Sequence, residues 1–74
     1  MRNFYAFIPH KKIPATENNL EGEPTGTANR LLFQLKTPKG AIARCKKHFS
    51  GQPFKLYSYH NFYDNSSFTL IKNA

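Results

Sequence analysis

The chain opens on an unbroken apolar run, Phe4-Tyr5-Ala6-Phe7-Ile8. Pro9 closes it, because proline has no N–H to give to a central ladder. A first strand over 4–8 follows. Residues 9–29 carry Pro9, Pro14, Pro24, Gly22 and Gly26, and almost nothing apolar except Ile13 and Leu20. They read as a long surface loop. A loop beyond about 15 residues in a small domain is usually either functional or disordered, and the sequence leaves both open.

Regular periodicity begins at Arg30. Over 30–36, Leu31, Phe33 and Leu35 share one face by period two, while Leu32 points to the other and implies that both faces are partly covered. Thr37-Pro38 starts a helix, with Thr37 as N-cap and Pro38 at the first helical position. The helix runs to about Phe49, and Ser50-Gly51 stops it. Ala41, Ile42, Cys45 and Phe49 form its apolar stripe. From Pro53 to about Tyr63 the alternation returns. Phe54, Leu56, Ser58, His60 and Phe62 take one face, and Lys55, Tyr57, Tyr59, Asn61 and Tyr63 the other. Asp64-Asn65-Ser66-Ser67 is turn chemistry, and Phe68–Lys72 returns as a fourth strand with Phe68 and Leu70 inward. The predicted order is β-loop-β-α-β-β. This is an α+β fold, one helix on a small, mostly antiparallel sheet.

Seventy-four residues leave room for a single domain, 1–74. A chain this short buries roughly 60% of its unfolded surface, which leaves little core for a deep catalytic cleft. No run reaches the length of a transmembrane helix. The start is too short and too aromatic for a signal peptide, and Cys45 is alone, so an intracellular, cytoplasmic setting is expected.

The net charge of +7 is unevenly placed. Arg2, Lys11 and Lys12 are balanced by Glu17, Glu21 and Glu23 within 1–29. From residue 30 onward eight cations face Asp64 alone. Such a field attracts nucleic acid, acidic protein surfaces or anionic lipid, although solubility alone is also a sufficient reason for it, and no membrane partner is expected.

Two constellations are candidates for contact. Lys55, Tyr57, Tyr59, Asn61 and Tyr63, if their face is open, suit base stacking or a protein hot spot. The alternative is that these tyrosines are strand formers covered by the long loop. Lys39, Arg44, Lys46 and Lys47 lie on the helix, either as a plain solvated surface or as contacts to phosphates or an acidic partner.

Catalytic and metal sets are poorly supported. Cys45 and His48 have C-x-x-H spacing, but the remaining ligands could only be His10, His60 or Asp64, and Cys45 falls on the apolar stripe. Cys45, His60 and Asp64 lack any nucleophile elbow. Four acidic residues, three of them in the loop, are too few for metal-assisted phosphoryl chemistry. The Pro38–Ala41 helix start is a weak anion site. No enzyme activity, metal or cofactor is expected.

From Thr37 onward, the Lys39-Gly40-Ala41-Ile42-Ala43-Arg44 helix, the Phe54-Lys55-Leu56-Tyr57 strand and the Asn61-Phe62-Tyr63-Asp64 turn resemble a pattern in small bacteriophage accessory proteins. The resemblance covers residues 37–68. It implies a protein that binds and blocks a host macromolecule, such as a polymerase or a defence nuclease, in the bacterial cytoplasm. The alternative from charge is direct, sequence-tolerant binding of DNA or RNA. Exposed edge strands also make a homodimer a possible assembly.

Overall fold

Every expected element forms in the expected order. A computed structural model describes residues 1–10, 13–24 and 28–73. It contains β1 (Arg2–Phe7), β2 (Arg30–Leu35), α1 (Pro38–His48), β3 (Lys55–Tyr59) and β4 (Thr69–Asn73), with a short 3-10 turn at Asn65–Ser67. The sheet order is β2-β1-β3-β4, and all neighbours are antiparallel.

The opening apolar run explains why β1 is central. Phe4 and Ala6 point to the helix side and Tyr5 and Phe7 to the opposite side, and all four are fully buried. A strand apolar at successive positions needs cover on both faces. On one face α1 supplies it. Ala41, Cys45 and Phe49 pack with Phe4, Ala6, Phe54 and Leu56. Thr37 caps the helix by accepting the Gly40 N–H at 3.1 Å, and Gly51 (φ 83°) takes the left-handed conformation just beyond its end.

The second face carries an aromatic cluster of its own. Tyr5, Phe7 and Tyr57 form its centre, with Leu20, Tyr59, Phe62 and Phe68 packed around them. Leu20 belongs to the expected 9–29 loop, whose residues 11–12 and 25–27 lie outside the described residues. The described part is an ordered cover. Gly22 is its pivot: its N–H donates to the Ile13 carbonyl at 2.8 Å and its carbonyl accepts the His10 N–H at 2.7 Å. Its φ of 78° suits glycine, and a Cβ there would meet the Pro9 side chain at 3.2 Å.

Two strand expectations need correction. β3 ends at Tyr59 and not near Tyr63, because Asn61 starts a turn. Asn61 Oδ1 accepts the Tyr63 N–H at 3.0 Å, and its carbonyl accepts the Asp64 N–H at 3.1 Å. Phe62 consequently joins the second-face cluster and leaves the helix side. Leu70 is 48% exposed where an inward position was expected. An irregularity in the ladder pairs Leu56 with Lys72 but Tyr57 with Leu70, so Ile71 is the extra residue. Ile71 packs on the helix-side core in its place.

Candidate functional site

The tyrosine stripe is not an open surface. Tyr57 is buried, its ring stacked on Phe7 at 5.8 Å. Tyr59 is half-buried, stacked on Phe68 at 4.9 Å. Lys55 reaches the Glu21 carbonyl at 3.4 Å, and Asn61 is engaged in its turn. Tyr63 is 94% exposed and off the sheet, its ring edge-on to Phe62 at 6.0 Å. The alternation that placed these five side by side persists in the sequence past residue 59, but the strand does not. Residues 13–24 and 60–68 cover the part that remains.

The cover is fastened through Tyr5. Its hydroxyl donates to Glu23 Oε2 at 2.6 Å, and Glu23 Oε1 accepts the Leu20 N–H at 2.9 Å. Arg30 meets the same carboxylate at 3.4 Å and lies over the Tyr5 ring, 5.4 Å from its centroid. Burial, reinforced by the Glu23 carboxylate, holds the Tyr5 phenol well above its usual range. Burial also raises Tyr57 and Tyr59. These phenols stay protonated and structural. The pairing of Tyr5 with Glu23 had no sequence signal, since eighteen residues and an irregular segment separate them.

The cysteine sets are not assembled. Cys45 lies in the helix-side core with no exposed surface, and burial pushes its thiol up to about 11 against a smaller lowering by Arg44. His48 is exposed, set edge-on against the Phe49 ring at 4.9 Å. Asp64 caps the 3-10 turn on the other side of the sheet, accepting from the Ser66 N–H at 3.0 Å and its hydroxyl at 2.7 Å. Among the described residues no three His, Cys, Asp or Glu side chains group closely enough to hold a metal ion. At the helix start, Thr37 already occupies the Gly40 N–H.

The four helix cations split into two groups. Helix residues step by about 100°, so with Ala41 and Cys45 facing the sheet, Arg44, Lys47 and His48 fall on one flank and Lys39 and Lys46 on the other. The first flank adjoins β2. Arg44 places its guanidinium over the Phe33 ring at 5.1 Å, and Phe33 stacks on Phe4 at 5.5 Å. A shallow depression of about 690 Å³ opens here, lined by Leu35, Ala43, Arg44, Lys47 and His48. Arg2 joins this side, over the Phe4 ring at 5.8 Å.

No carboxylate occurs in α1 or β2. All four acidic residues belong to the segments that cover the opposite face: Glu17, Glu21 and Glu23 in 13–24, and Asp64 in 60–68. The asymmetry along the sequence thus becomes an asymmetry between layers. What the arrangement can do chemically is attract and hold anionic groups beside apolar surface. Among the described residues no helix is long and apolar enough to cross a membrane. Comparison of the chain with protein-family models, with curated proteins and with solved structures finds no match.

Proposed function

We propose that the protein is a non-catalytic binding domain, a phage-type accessory protein that docks on an acidic surface of a host protein or nucleoprotein complex and modulates or inhibits it. The single observation behind this reading is the separation of charge by layer. Arg44, Lys47, Lys39 and Lys46 stand exposed on the helix, and the carboxylates lie on the far side of the sheet. Electrostatic complementarity of this kind steers association and fixes orientation. Arg44 is held by the Phe33 ring below it, so it reaches a partner with part of its freedom already lost.

The test is capture from bacterial lysate with and without nuclease, using the native chain and an Arg44→Glu/Lys47→Glu variant. A protein retained after nuclease by the native chain and lost by the variant supports the reading. Equal capture by both removes the basic flank from it.

Direct binding of DNA or RNA is the second reading, favoured by the same concentration of charge. It has lost its stacking platform, because Tyr57 and Tyr59 are covered. Only phosphate contact is left to it. With about four such contacts, affinity for an oligonucleotide should fall about a hundredfold between 50 and 200 mM salt. Binding that is absent, or indifferent to salt, ends this reading.

A further inference from the structure

β2 is one of the two edge strands, and its outer side is where the basic flank meets unpaired backbone. The Ile8 N–H donates to the Asn29 carbonyl at 3.0 Å, which extends the β1–β2 register of Arg2↔Leu35 through Phe7↔Arg30 by one pair. Bonded and non-bonded pairs alternate along an antiparallel ladder. Leu31, Phe33 and Leu35 therefore turn their backbone groups to β1. Leu32 and Gln34 turn theirs outward.

The two edges differ in how they are protected. β4 carries the ladder irregularity opposite Leu56 and Tyr57, and a lysine, Lys72. Both are devices that discourage further pairing. β2 also carries a cation, Arg30 at its first residue, but it stays in register with β1 over all six residues, with no proline and no bulge. An added strand would alternate its side chains between the two sides of this edge. On the helix side they would meet Arg44 and Lys47 across the Leu35 depression. On the other side they would meet Leu32, which is 53% exposed.

We propose that the β2 edge takes an extended acidic segment of a partner protein as a fifth strand, its carboxylates toward Arg44 and Lys47 and its apolar side chains toward Leu32. This rests on the anionic-partner reading above and names the form the partner takes. Charge decides against a second copy of the chain, since pairing two β2 edges would bring two basic flanks together. A nucleic acid would satisfy the cations but offer nothing in register to the Leu32 and Gln34 amides.

The test uses the full chain and amide NMR, with a short blocked peptide alternating Asp and Val as probe. Two further peptides carry backbone N-methyl groups, one on the Asp residues and one on the Val residues. Amide directions alternate with side chains, so one of these blocks the bonding edge and the other blocks only the solvent edge. Expected are shifts at the Leu32 and Gln34 N–H with exchange slowed at least about tenfold. One methylated peptide should bind at least about tenfold more weakly than the other. Arg44→Glu with Lys47→Glu should abolish binding.

Equal binding by both methylated peptides overturns strand addition, while the lysate result with the charge variant still decides the anionic-partner reading. No binding of the alternating peptide also overturns it. So does protection of Leu32 and Gln34 that rises with protein concentration alone, which would give the edge to a second copy.

Discussion

Tyr5 serves both layers of the second face at once. Its ring sits in the aromatic cluster, 5.5 Å from Phe7 and 5.4 Å from Phe62, while its hydroxyl holds Glu23. Tyr5→Phe keeps the ring contacts and removes one hydrogen bond to a carboxylate. The expected cost is about 1–2 kcal/mol in a denaturant titration. An unchanged midpoint would mean that Glu23 is held by Arg30 and the Leu20 amide alone. Cys45 makes a separate prediction about pH. Its thiol ionises near 9.0 when unfolded and near 11 when folded, so the unfolded chain loses the proton first. Stability is therefore complete below pH 9 and falls as pH rises from 9 toward 11, by at most about 1.4 kcal/mol for each pH unit. Tyr5, raised in the same sense, adds to the fall above pH 10. Between pH 9 and 10 the slope belongs mainly to the thiol, and a Cys45→Ala chain should lose stability less steeply there. A slope as steep as the native one would take the effect away from Cys45.

Among the elements, α1 was the most legible, and β3 with β4 the least. Thr37, Pro38 and the Ala41-Cys45-Phe49 spacing mark the helix by local chemistry alone, and the structure agrees within a residue. Because Thr37 spends its hydroxyl on the Gly40 N–H, Thr37→Ala should lower stability by about 1 kcal/mol, measured by thermal unfolding. Thr37→Ser should restore most of that. Failure of serine to do so would place the loss in packing of the threonine methyl. β3 misled because alternation of aromatics through Tyr63 is a local pattern, whereas its end is set by Asn61. That residue binds its own turn and also pairs with Ser67, whose hydroxyl lies 2.8 Å from the Asn61 carbonyl. β4 misled because the extra residue at Ile71 exchanges faces, and nothing in Thr69-Leu70-Ile71-Lys72 reveals where a ladder slips. The candidate surface suffered from the first of these errors. The helix cations were readable from sequence, but their division into two flanks needs the helix phase, and the β2 edge needs the strand order.

At the scale of the whole molecule, the sheet has two covers of unequal strength. One is a capped helix on an apolar core, and the other is made of two irregular segments, 60–68 held through Phe62 and Phe68, and 13–24 held through Leu20, Glu23 and a few backbone bonds. Segments with few buried apolar contacts open locally at lower cost than the global fold. The Gly22 N–H, bonded to the Ile13 carbonyl, and the Glu23 N–H, bonded to the Leu20 carbonyl, should therefore exchange faster than amides of β1. Leu20→Ala removes the apolar anchor of segment 13–24 without touching the helix layer. Truncating a half-buried leucine should raise exchange at Gly22 and Glu23 at least about tenfold. Opening of this segment would uncover the Tyr5, Phe7 and Tyr57 cluster on its Leu20 side, while Tyr59 stays under Phe62 and Phe68. If exchange at β1 accelerates as much as at Gly22, the two covers unfold as one unit and Tyr57 is never bared without loss of the fold. If only that segment accelerates, the Leu20 side of the aromatic cluster exists as a second, transient surface on the side away from the basic helix.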